Sequence, residues 1–123
     1  MSEIDAASAP IQELIESYRA AAQRHATASA SGRHRVANRN FDSLATLYRE
    51  LKSRGDPGRN ALRSLLRDAV SAVRMWAAAH SLEFAAEEAE PVLLALATGA
   101  PGPLRLSAEM TLRQWQKGQL KFP

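Results

Sequence analysis

The stretch from Arg59 to Phe84, RNALRSLLRDAVSAVRMWAAAHSLEF, most constrains what this chain can fold into. It reads as two short apolar helices that meet at a tight corner marked by Asp68. Ala61, Leu62, Leu65 and Leu66 supply the apolar side of the first. In the second, Val73, Trp76, Ala77, His80 and Phe84 share one face, while Met75, Ala78, Ala79 and Leu82 make the opposite side apolar as well. A helix that is apolar nearly all round must be buried all round. The remaining elements are therefore expected to stack on either side of this pair.

Those elements also read as helices. Ile11, Leu14, Ile15, Tyr18, Ala21, Ala22 and His25 fall at i, i+3, i+4, i+7 spacing, with Pro10 suited to a first turn. ATASASG (26–32) reads as a fraying end and loop. The stripe returns from about His34 with Ala37, Phe41, Leu44, Tyr48 and Leu51, widened by Val36 and Leu47. Gly55 stops that helix, and Asp56-Pro57 starts the next. Glu87, Glu88 and Glu90 suit the first turn of a fifth helix, where the macrodipole favours negative charge. Val92, Leu93, Leu94 and Leu96 carry its packing until GAPGP (99–103) breaks it. A sixth helix starts near Ser107, holds Met110, Leu112 and Trp115, and ends at Gly118; Leu120 and Phe122 are expected to fold back on the last pair. No segment alternates as a half-buried strand does. The expectation is an all-α single domain over 1–123, of five to six antiparallel helices, with 1–9 frayed and 26–33 and 99–103 as loops.

The corner carries a family pattern. Asp68, then Val73-Arg74, Ala77-Ala78 and Leu82, resembles the HEAT-repeat signature, in which the Asp and Arg hydrogen-bond the turns and the two Ala let helices approach. Thirty-one residues on, Leu104-Arg105 lies over Val73-Arg74 and Ala108 over Ala77, while Gly99 stands for Asp68 and Glu109 for Ala78. The resemblance covers about Arg59–Trp115 and implies a short right-handed α-α superhelix with atypical ends. The chain, notably VRMWAAAHSLEFAAEEAEPVL and SAEMTLRQWQKGQLKFP, also resembles a small family of uncharacterised bacterial proteins classed as a domain of unknown function. HEAT-like families of this kind imply a protein-binding role, with immunity or regulatory partners among the forms it takes.

Charge and chemistry narrow the function. The chain has no cysteine, which removes disulfides and thiolate metal sites and makes a reducing cytoplasm the expected location. The N-terminal MSEIDAASAP lacks the basic and apolar regions of a signal peptide, and no apolar run approaches the length of a membrane span. Residues 1–18 carry four acids and no bases; residues 19–67 carry eleven Lys/Arg against three acids. Such asymmetry concerns association rather than fold. His80 and Glu83 share a helix side, but a metal site needs further ligands that have no matching pair elsewhere. Glu87, Glu88 and Glu90 have a dipole explanation before a catalytic one. There is no GxSxG and no phosphate-cradling Gly loop. No enzyme activity, metal or cofactor is expected.

The candidate site is basic. Arg59, Arg63 and Arg67 recur every four residues, and Arg35, Arg39 and Arg49 can extend the surface they begin. Like charges at that spacing cost about 0.2–0.5 kcal/mol per pair, so something offsets them. The alternatives are neighbouring carboxylates (Asp56, Asp68 or Glu50) with solvent, an acidic protein partner, or nucleic-acid phosphate. Phe41 and Tyr48 fall on the apolar stripe, so they read as core rather than as base-stacking platforms. Asp68, Arg74 and Trp76 are the structural corner; Trp76 and Trp115 are weighed between core packing and interface anchors. The sequence thus predicts a protein-binding module, with nucleic-acid binding through the Arg stripe as the alternative and a second copy of the chain as a further candidate partner.

Overall fold

The computed structural model describes residues 5–122 of the chain. Every regular element among them is helical: α1 (Ile11–Ala30), α2 (His34–Ser53), α3 (Asp56–Ser64), a 3-10 turn (Leu65–Arg67), α4 (Ser71–Ala97) and α5 (Pro103–Gln116). They divide into two compact units, Met1–Leu62 and Arg63–Pro123.

In the first unit, α1 and α2 form a helical hairpin. Leu14, Tyr18, Ala21 and Ala22 of α1 and Leu44, Leu47, Tyr48 and Leu51 of α2 are buried, the inward stripes that their spacing requires. Burial, and secondarily the neighbouring Tyr48, hold the Tyr18 phenol well above its ordinary pKa. α1 does not fray at residue 26. Its alanine-rich end is a good helix former, and Ala28 is buried. The helix closes at Gly32, whose φ of 73° lets Arg33 N–H reach Ala28 O at 2.8 Å and Gly32 N–H reach Ser29 O at 3.3 Å. The expected loop 26–33 shrinks accordingly to 31–33.

Residues 5–9 are held rather than frayed; residues 1–4 lie outside those described. Ser8 and Ala9 N–H donate to Asp5 O, and Arg54 Nη2 donates to Ala6 O at 3.0 Å and Ala9 O at 2.7 Å. The same guanidinium pairs with Glu50 at 2.6 Å. Where α3 crosses the end of α2, a Cβ on Gly58 would stand 1.7 Å from Leu51 O, so only glycine fits.

In the second unit, the first half of α4 is buried all round: Ala72, Val73, Met75 and Ala77 through Leu82. The expected fourth and fifth helices are the two limbs of α4, which meet at a kink at Ala85, whose φ of −148° and ψ of 48° leave the helical region. α4 and α5 pack as a second hairpin, with Ala89, Leu93 and Ala108 fully buried. The tail folds back, and Phe122 meets the His80 ring edge-on at 4.7 Å.

Three residues assigned to packing are exposed: Phe41, Leu94 and Met110, at 47, 57 and 50%. Leu93 takes the inward stripe beside Leu94, and Ala108 does so beside Met110. Phe41 falls at the margin of the α2 stripe, a position that Leu44, Tyr48 and Leu51 leave to solvent.

Candidate functional site

The corner is a set of side chains that satisfies turn carbonyls. Asp68 is extended, and its Oδ2 accepts from Val70 N–H at 2.9 Å. Arg74 donates through Nη1 to Asp68 O at 2.8 Å and through Nη2 to Ser71 Oγ at 2.9 Å. At the next corner Arg105 Nη1 donates to Gly99 O at 3.3 Å, across the same six-residue reach. Gly99 has no carboxylate, so the counterpart of the Val70 bond is missing. Trp76 is half-buried, 5.7 Å from the His80 ring. His80 is 2% exposed, and burial pushes its pKa down to about 3. Trp115 donates to Glu90 at 2.9 Å.

The Arg59–Arg63–Arg67 series is not an open cationic line. Arg59 reaches Asp56 at 3.5 Å. Arg63 holds Glu88 through Nε at 2.6 Å and Nη2 at 2.7 Å. Arg67 lies in the 3-10 turn, where three residues rather than 3.6 complete a revolution, so it swings off the line that Arg63 begins. Its charge still acts on Glu88, whose carboxyl is held below its ordinary range first by the Arg63 hydrogen bond and then by both cations. Asp56 was among the anticipated counter-charges; Glu50 serves Arg54 instead, and Glu88 was missed. Nothing local links residues 25 apart in sequence, and the charge asymmetry of the chain was read as bearing on association rather than on fold.

Arg35, Arg39 and Arg49 are different. With Asp42 and Thr46 they form one exposed stripe on α2, opposite buried Ala37, Leu44 and Leu51. The stripe runs about 21 Å at the helical rise. Among the described residues no carboxylate pairs with these three; Arg49 donates to Thr46 Oγ1 at 3.4 Å. Exposed Phe41 lies apart from them, at the margin of the buried face. The chain uses 13 Arg and 3 Lys, and guanidinium forks match carboxylate or phosphate pairs of oxygens.

Other chemistry is sparse. Among the described residues no group of three or more His, Cys, Asp or Glu can hold a metal ion, and no helix is long and apolar enough to cross a membrane. A groove of about 230 Å³ is lined by Ala79, Leu82, Glu83 and Trp115 with Leu120, Lys121 and Phe122 of the tail.

Comparison with known proteins agrees with the helical fold. The chain is similar to the crystal structure of the protein RPA1889 from Rhodopseudomonas palustris CGA009, at 27% identity and a TM-score of 0.87, over 97% of this chain and 98% of that one. No curated protein matches it. A family model matches residues 12–116. The chain belongs to the family described as "Domain of unknown function (DUF2019)".

Proposed function

We propose that this chain is a non-enzymatic protein-binding module of the bacterial cytoplasm, and that the outward face of α2 takes an acidic surface of its partner. The observation that carries this reading is the contrast among the arginines. Arg54, Arg59 and Arg63 have carboxylate partners, whereas among the described residues Arg35, Arg39 and Arg49 stand exposed without one. Exposed cations on one rigid helix are a ready electrostatic template for a complementary surface. A HEAT-like array is the architecture proposed to present that face. The recurring six-residue reach, Arg74 to Asp68 O and Arg105 to Gly99 O, supports a repeat. An immunity-type or regulatory partner is the form favoured, with a second copy of the chain as another candidate.

A second reading, phosphate-backbone binding, rests on the same exposed guanidinium groups, which match paired phosphate oxygens as well as carboxylates.

The test is capture from bacterial lysate with wild type and with Arg35→Glu/Arg39→Glu/Arg49→Glu, at low and moderate salt, with and without nuclease. A stoichiometric protein retained by wild type through moderate salt and nuclease, and lost by the variant, supports the first reading. Capture abolished by nuclease and falling steeply with salt supports the second. Identical capture by both proteins removes the α2 face from either.

A further inference from the structure

The outward positions of α2 carry a pattern as well as a charge. Reading along the helix they are Arg35, Arg39, Asp42, Thr46 and Arg49, all exposed: cation, cation, anion, hydroxyl, cation. The helical rise spaces them by about 6, 4.5, 6 and 4.5 Å. A second helix laid alongside has the same rise and can set side chains at each of these heights. A run of phosphates offers an anion at every step and places one against Asp42, where like charges oppose each other. The single acid therefore discriminates among anionic ligands.

Resting on the acidic-partner reading above, we infer that the docking segment is a helix with carboxylates opposite Arg35, Arg39 and Arg49 and a lysine or arginine opposite Asp42. Guanidinium forks at the three cationic positions hold carboxylates in two-pronged geometry. Asp42 acts by exclusion: it admits a patterned helix and weakens uniform polyanions, as selective interfaces do with a repulsive element.

The experiment uses two helical peptides of equal length, one presenting Glu, Glu, Lys and Glu at the heights of Arg35, Arg39, Asp42 and Arg49, the other Glu at all four. Each is made in both chain directions, and a DNA duplex serves as the uniform polyanion. Binding is read by fluorescence anisotropy at low salt against the full chain, Asp42→Asn and Asp42→Lys. Wild type is expected to prefer the Lys-bearing peptide about two- to fivefold, the scale of a single exposed charge pair. Asp42→Asn should erase most of that preference. Asp42→Lys should reverse it and tighten duplex binding; Asp42→Asn alone decides the matter if the lysine variant does not fold. Equal affinity of wild type for both peptides, with both lost in Arg35→Glu/Arg39→Glu/Arg49→Glu, overturns the pattern but leaves the acidic-partner reading. Failure to bind either peptide, or tighter binding of the duplex than of both, overturns the two together.

Discussion

Arg63 and Glu88 form a two-pronged pair, Nε to Oε2 at 2.6 Å and Nη2 to Oε1 at 2.7 Å. The pair decides how the arginine-rich middle of the chain is read. It neutralises the central member of the 59–63–67 series, whereas no carboxylate among the described residues pairs with exposed Arg35, Arg39 and Arg49 of α2. It also sets a titration. The Glu88 carboxyl lies below its ordinary pKa because the Arg63 hydrogen bond, and then the charges of Arg63 and Arg67, favour its ionised form. Arg63→Ala should raise the Glu88 pKa toward 4.5, measured by carboxyl-carbon NMR titration, and 1 M salt should shrink the wild-type shift. A carboxyl depressed in the fold adds stability above its unfolded pKa and loses it as pH falls. The variant should therefore lose less stability on acidification below that pKa.

Asp68 accepts the Val70 N–H at the start of α4, and Arg74 holds the Asp68 carbonyl. Asp68→Ala should cost about 1 kcal/mol, the usual value of a lost helix-start acceptor. Asp68→Asn keeps an acceptor oxygen and should recover most of it. Urea denaturation of the three proteins measures both, and a loss at Asn as large as at Ala would assign the effect to charge.

Gly58 lies on Leu51 O, with 1.7 Å left for a Cβ. No side-chain motion relieves that clash, since both groups are backbone-fixed, so α3 must shift away from the end of α2. Gly58→Ala should destabilise by at least the upper part of the range for overpacking, about 3 kcal/mol. A thermal melt checks it. The reference substitution is Gly99→Ala, where a Cβ meets nothing closer than 3.4 Å, and that should cost little.

The helical fold was legible because it rests on periodicity, and periodicity is local. The all-round apolar run at 72–82 is the buried half of α4, and the stripe from Leu14 to Ala22 is the inward face of α1. What failed was finer than the helical period. Leu93 and Leu94 are both leucine, and only the phase of α4 after the Ala85 kink buries the first and exposes the second. Phe41 fits an apolar stripe by type but sits at its margin. The candidate site was partly legible: arginines can be counted from sequence, whereas Glu88 and the Ala6 and Ala9 carbonyls reach theirs only through the tertiary fold. Arg54 in particular looked like one more basic residue. It clamps the segment before α1.

His80 ties pH to the tail. Its ring is 2% exposed, with Phe122 edge-on at 4.7 Å and Trp76 at 5.7 Å, and burial lowers its pKa from 6.5 to about 3. The folded ring stays neutral while the unfolded chain takes up a proton near 6.5, so the unfolded state binds more protons between the two values. Stability is then full above 6.5 and declines as pH falls toward 3. The loss between pH 7.5 and pH 5 should be about 2 kcal/mol, with His25, also lowered by burial, adding in the same sense. Phe122→Ala opens the ring to water from the tail. It should lower stability at pH 7.5, raise the His80 pKa, and so flatten the acid limb. Urea unfolding at the two pH values, with an NMR titration of the imidazole, separates these effects. An acid limb equally steep in wild type and Phe122→Ala would mean that the tail does not keep water from the ring.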